Sequence, residues 1–170
     1  FVTPNGPSAR AGLVGGEKIL AIDDQPVTEP DDLFLNVAAG LAGSEIRVQV
    51  ESNGRPRTLR ATLVKAYWPP SGPVIAANRP RPVQGITVDY TSALLRGLVG
   101  DNTGILPGVA VRDVEPGSAA AKAGLKPDSD IITEVNGRAV NTPKEFYAAA
   151  NSAGPLELTL AEPVRKVKLP

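Results

Sequence analysis

The sequence predicts an α+β chain built as two copies of one small unit of short helices and antiparallel strands. Three observations predict it. VTPNGPSARAGL at positions 2–13 returns as VEPGSAAAKAGL at 114–125, with Val, Pro, two Ala, Gly and Leu in register and Lys122 answering Arg10. The same succession of segments follows each copy: EKILAI, Asp23-Asp24 and VTEPDDL in the first, DIITEV, Asn136-Gly137 and VNTPKEF in the second. Pro4 matches Pro116 and Pro30 matches Pro143, so a single inserted residue reconciles the two spacings. A period this long is a duplicated domain, not a solenoid of 20–50-residue repeats.

Within each copy the elements follow in order. Ser118 is placed to cap a short helix over 119–123, which Gly124 ends in the left-handed conformation. In the first copy Pro7 suits the first helical position and Gly12 closes the helix. A short apolar strand comes next, at 19–22 and at 131–135. The second is closed by Asn136-Gly137, a strong tight-turn signal. The first is closed by Asp23-Asp24, where Asp tolerates positive φ less well than Gly. A helix then starts at Thr142-Pro143-Lys144-Glu145, a capping box with proline in the first turn. Its counterpart Glu29-Pro30-Asp31-Asp32 lacks the hydroxyl but puts acids at the positive end of the helix. Ile46, Val48 and Val50 alternate up to Asn53-Gly54, and Leu59, Ala61 and Leu63 alternate back, which is a hairpin with one buried face. Leu156, Leu158 and Leu160, then Val167 and Leu169, repeat it.

Between the copies, YWPPSGPVIAANRPRP at 67–82 holds five prolines and reads as a stiff, extended connector. Trp68 is expected to pack this linker onto a domain. From 91 to 108 the second copy carries a longer insertion. Ala93, Leu94, Leu95, Leu98 and Val99 suit a short helix ending near Gly100, and the Gly, Asn and Asp after it suggest a loop.

Composition narrows the function. The chain has 170 residues, 42% of them hydrophobic, enough for one or two domains with cores of their own. Eighteen basic residues balance eighteen acidic ones, which argues against nucleic acid or an anionic membrane as partner. No apolar run approaches the length of a membrane span. Histidine and cysteine are both missing. That removes serine–histidine triads, cysteine–histidine dyads and thiolate or imidazole zinc sites. No D-x-D-x-D-G calcium loop is present either. The expectation is no catalytic residue, no metal and no cofactor in this chain.

V-x-P-G-S-A-A-x-x-A-G-L, D-I-I-x-x-V-N-G-x-x-V and T-P-x-E-F together resemble the bacterial PDZ domain. More narrowly they resemble the circularly arranged PDZ domains that follow the trypsin-like domain of HtrA/Deg-type envelope proteases. The resemblance covers nearly the whole chain apart from the linker. It implies two PDZ-like domains at 1–66 and 83–170, each a small antiparallel, partly open β-barrel or sandwich with two helices.

It also implies a mechanism. PDZ domains bind a partner's C-terminus as an added strand beside a helix. The terminal carboxylate is held by main-chain N–H groups of a tight loop. Val83, Gln84, Gly85 and Ile86 fit that loop, although Gln84 departs from its apolar preference. Thr87 and Val88 continue the edge strand. Pro143, Tyr147, Ala150 and Asn151 share the facing side of the helix, and small Ala150 leaves room for an apolar peptide end. Ile86 and Val88 suit a pocket wall or the core equally, whereas Phe146 reads as core. Arg79 and Arg81, just before the loop, suit long-range attraction of a carboxylate or plain solvation.

In the first copy Phe1 matches Asp113, so nothing corresponds to the loop or edge strand. The chain is therefore expected to be a fragment, with this unit completed from upstream, by the linker (Pro73 to Ala77 being one apolar candidate) or by strand exchange with a second chain. The helix face of Phe34, Val37 and Ala38 would line that groove. The functional expectation is a non-catalytic PDZ region of an envelope or periplasmic serine endopeptidase. It would capture protein C-termini or extended peptides with an apolar end and regulate a catalytic domain located upstream. The alternative is a scaffold or regulatory module of a zinc site-2 or tail-specific protease, or of a secretion assembly.

Overall fold

The computed structural model describes residues 2–65, 80–94, 105–151, 154–161 and 163–170. Most of the proline-rich linker, Trp68 and Arg79 included, and the helix expected through Leu95, Leu98 and Val99 lie outside these residues. Two compact units result, the first built on residues up to 65 and the second on residues from 80 onward, with Ile105 grouped with the first.

The first unit runs α1 (Pro7–Arg10), β1 (Lys18–Ile22), β2 (Gln25–Pro26), α2 (Pro30–Ala38), β3 (Glu45–Ser52) and β4 (Arg55–Thr62). Its strands form one antiparallel sheet in the order β2-β1-β3-β4. Alternation dictates the buried face: Ile46, Val48 and Val50 from β3 and Leu59 and Ala61 from β4 pack with Ile22 and Leu63.

The second unit runs β5 (Ile86–Tyr90), a 3₁₀ turn (Thr91–Leu94), β6 (Val109–Val114), α3 (Ala119–Lys122), β7 (Ile131–Val135), β8 (Arg138–Ala139), α4 (Pro143–Ala150), β9 (Leu156–Leu160) and β10 (Arg165–Leu169). Its antiparallel sheet has the order β10-β9-β7-β6-β5, with β8 hydrogen-bonded to β7. Both sheets stay open rather than closing into barrels. The core gathers Ile86, Val109, Val111, Ile132, Phe146 and Leu158, all fully buried, among others. Each such side chain contributes about 1.5–3 kcal/mol over remaining exposed. Arg165 ties this sheet to the preceding loop through Asp130, at 3.0 Å. Lys166 and Lys168 on β10 both pair with Glu157 on β9.

The repeated segments adopt the same elements. α1 matches α3, β1 matches β7, β2 matches β8, α2 matches α4, and the hairpin β3–β4 matches β9–β10. Each strand that precedes α2 or α4 ends in a turn with two successive left-handed residues: Asp23 (φ 45) and Asp24 (φ 69), and Asn136 (φ 51) and Gly137 (φ 75). This is the mirror-image turn whose twist suits a two-residue hairpin. Asp serves as well as Asn at its first position because the side chain has a second task there. Asp23 Oδ1 accepts from Arg47 N at 2.8 Å, and Asp23 N donates to Arg47 O at 2.9 Å. Asn136 makes the identical exchange with Glu157, at 2.8 and 2.7 Å. A side-chain oxygen clamps the turn to the next strand in both units.

The helix caps show the same economy. Ser118 Oγ accepts from Ala121 N at 3.1 Å, as its position implies. Thr142 and Glu145 form the full capping box on α4. On α2 no hydroxyl stands at the N-cap Glu29, and the one before it is a donor to Asp32, not an acceptor for a helix amide as Thr142 is. Thr28 Oγ1 donates to Asp32 Oδ2 at 2.6 Å, joined by the main-chain N–H groups of Thr28 and Glu29.

Those three donors, the Thr28 hydroxyl foremost, hold the Asp32 carboxyl below its ordinary value of 3.8. A carboxyl lowered in the folded state adds stability while it is ionised. That contribution is complete above the unfolded value and disappears as pH falls through the folded one. Acidification below about pH 3.8 is therefore expected to loosen the start of α2. The amide signals of Thr28 and Glu29 should follow a single carboxyl titration there in NMR, and D32N should abolish that step. An unaltered titration in D32N would show that Asp32 is not the group responsible.

Candidate peptide-binding site

β5 is the outermost strand of its sheet, and its free edge faces α4. Val88↔Val111 is a register pair, and Val111 N donates to Asp130 O on the side away from β5. The pair is thus not mutually hydrogen-bonded, so the Val88 N–H points outward, toward the helix. The segment that precedes this edge turns back at Gln84 (φ 52) and Gly85 (φ 85), another pair of left-handed residues. Val83 and Ile86 bridge across the turn: Val83 N donates to Ile86 O at 3.0 Å and Ile86 N to Val83 O at 2.8 Å.

Two further main-chain bonds bind the turn to the entry of α3. Glu115 N donates to Gly85 O at 2.9 Å and Ala120 N to Gln84 O at 3.2 Å. Glycine is required at the second turn position. A Cβ on Gly85 would lie 2.2 Å from Ser118 Cβ and 2.3 Å from its Oγ. Ser118 therefore does more than cap α3, as the sequence alone implies: it floors the turn. Gln84 departs from the apolar pattern because its side chain leaves the groove. Its Nε2 donates to Pro170 O at 2.5 Å.

Of the four loop residues, Val83 and Ile86 thus spend their N–H groups on each other's carbonyls. The main-chain N–H groups of Gln84 and Gly85 have no hydrogen-bond acceptor among the described residues. Ile86 and Val88 are buried at 0% and 6% exposure and belong to the core, with Thr87 half-buried between them. Across from them Tyr147 is half-buried and accepts from Val88 N at 3.5 Å. Its ring stands edge-on to buried Phe146, with centroids 5.3 Å apart. Ala150 is buried, Pro143 half-buried at the start of α4, and Asn151 exposed as its C-cap. The structure thus brings Val88 and Tyr147 together. Asn151 lies at the solvent end of the row.

In the first unit, α2 meets no strand equivalent to β5 among the described residues. Phe34 is 69% exposed, Val37 half-buried and Ala38 exposed. A hollow of about 190 Å³ opens beside them, lined by Ala11, Ile19, Ile22, Leu33, Val37 and Leu63 among others. Its walls are mostly apolar, and no counterpart of the second unit's β5 or β6 covers it among the described residues.

Comparison with known proteins gives this geometry its family. A PDZ-domain family model matches residues 1–63 and a second PDZ-domain model matches 110–161. The chain is 31% identical over 89% of its length to the magnetosome formation protease MamE of Magnetospirillum gryphiswaldense, covering 23% of that protein. It is 30% identical over 95% of its length to a probable periplasmic serine endoprotease, DegP-like, of Halomonas elongata, covering 32% of it. A DegP-like relative from Rhizobium meliloti is 28% identical over 86% of the chain and 29% of its own length. The chain is a tandem pair of PDZ domains of the HtrA/Deg type.

It spans about a quarter to a third of the curated relatives it matches. The second PDZ domain carries the Gln84-Gly85 turn, the edge strand β5 and the facing helix α4. In the first PDZ domain α2 is present, with no strand equivalent to β5 beside it among the described residues.

The second PDZ domain should depend on Gly85 for packing as well as for backbone freedom. G85A adds a clash with Ser118 to the strain of φ +85 and is expected to lower its stability by about 2–4 kcal/mol. G117A, at φ +76 with open space around the new methyl, is expected to cost only about 1–2 kcal/mol. Thermal or denaturant unfolding of the two variants measures the difference. Equal losses would mean that the Ser118 floor constrains nothing.

Proposed function

We propose that the second PDZ domain binds the extended C-terminus of a protein by adding it as a strand to the outer edge of β5. The observation that carries this reading is the pairing of a terminal sheet edge with a facing helix, entered by a turn whose Gln84 and Gly85 main-chain N–H groups have no acceptor among the described residues. Main-chain donors suit a carboxylate without any charged side chain. The terminal side chain would lie over Ile86, Val88 and Ala150, a small and apolar floor that favours an apolar last residue. Asn151, Thr87 and Pro143 would border the rest of the peptide. The boundaries are proposed as 1–66 and 83–170, with 67–82 as spacer.

In this reading the chain is the non-catalytic region of a serine endopeptidase of the bacterial periplasm or envelope. Its relatives' names include a periplasmic serine endoprotease and a magnetosome formation protease, which supports that setting. The PDZ pair would hold a substrate for, and regulate, a catalytic domain elsewhere in the polypeptide. With histidine missing from the chain, a serine–histidine triad cannot be assembled from its residues alone.

Isothermal titration of the chain with decapeptides ending in free valine, leucine or phenylalanine, and with their C-terminal amides, tests the carboxylate contact. Charge-assisted hydrogen bonds lost on amidation should weaken binding by about tenfold to a hundredfold. Equal affinity of acid and amide would refute recognition through the Gln84-Gly85 turn.

A further inference from the structure

The outward-facing N–H groups of β5 fall on alternate residues: Ile86, Val88 and Tyr90. An incoming strand would have to bond to these donors, and each already has an acceptor. Ile86 N is taken by Val83 O at 2.8 Å, Val88 N by Tyr147 Oη at 3.5 Å, and Tyr90 N by Asp89 Oδ1 at 2.9 Å. The first is built into the turn and the third is a local side chain on the strand itself. The middle one is different, because it crosses the groove from the helix.

We infer that the Tyr147 hydroxyl is a displaceable latch, holding the groove of the second PDZ domain shut by occupying the Val88 N–H that a bound peptide's carbonyl must take. The inference rests on the strand-addition reading above. At 3.5 Å the bond is at the long end of hydrogen-bond geometry, so it satisfies a part-buried donor at little strength. Opening requires the ring to leave its place between Val88 and the edge of Phe146, a rotation about side-chain bonds that leaves the α4 backbone where it is. Ligand affinity then equals intrinsic affinity reduced by the fraction of molecules that are open. The first copy supplies the contrast. The residue matching Tyr147 is Phe34, which has the ring and no hydroxyl, so a groove formed there would carry no such latch.

The test compares the wild-type chain with Y147F, a change that removes one oxygen and keeps the ring. Two quantities are read: the affinity for the free-acid decapeptides ending in valine, leucine or phenylalanine, and amide hydrogen exchange at Val88 in the peptide-free proteins. The latch predicts tighter peptide binding in Y147F, by roughly two- to fivefold, because the competitor for Val88 N–H is gone. It also predicts faster exchange at Val88, with the neighbouring core amides of Val109 and Val111 unchanged. Equal or weaker peptide binding by Y147F overturns the inference whatever the exchange shows. If neither protein binds the free-acid peptides, the strand-addition reading fails by itself. Val88 exchange then decides the closed contact, faster exchange in Y147F supporting it and unchanged protection overturning it.

Discussion

The close approach of the Gly85 backbone to Ser118 governs the second domain. It allows the Gln84-Gly85 turn to lie on the entry of α3, where Glu115 and Ala120 donate to its two carbonyls. That seating fixes where β5 begins, hence which of its residues face β6 and which face the groove. A side chain at Gly85 would lift the turn and shift the edge strand with it. Ile86 and Val88 would leave the core, and the alternation that aims the Val88 N–H at α4 would be lost. The placement of the edge strand is thus tied to one glycine being able to touch a serine.

Comparison of the two copies separates what the unit needs from how a given sequence supplies it. The turn after β1 or β7 needs two left-handed residues and one side-chain oxygen, which Asp23-Asp24 and Asn136-Gly137 both provide. The second helix has at its third position a carboxylate, Asp32 or Glu145, that accepts from the two main-chain N–H groups just before the helix in both copies. These devices act over a few residues, and most of them were legible in the sequence. The exception is instructive. Asp23-Asp24 looked like a weaker turn because its long-range partner, Arg47 N, is visible only when β3 is in place.

The candidate site was legible in outline and not in its interactions. The motif placed Val83 to Ile86 as the loop and Tyr147 and Ala150 on the facing helix, since glycine position and helical period are local properties. That Ile86 and Val88 are core rather than open pocket wall follows from the whole sheet, through Val109, Val111 and Phe146. Gln84 read as a blemish in an apolar loop, whereas its side chain bonds to Pro170, 86 residues away. The contact between Val88 and Tyr147 spans 59 residues and depends on a hydroxyl that periodicity treats as one more aromatic. Side-chain bonds across that many residues are set by tertiary placement, and no spacing rule encodes them.

The two ends of the second sheet are finished differently. At β10 the residues turned to solvent are Lys166 and Lys168, held over Glu157, with Val167 and Leu169 facing inward. An edge studded with ammonium groups resists annealing to another molecule. At β5 the border carries Thr87 and the single carboxylate of Asp89 instead. A foreign segment therefore meets two ammonium groups on one flank and one carboxylate, engaged by the neighbouring main chain, on the other. In the proposed strand-addition role, that asymmetry directs an incoming strand to β5 and away from β10.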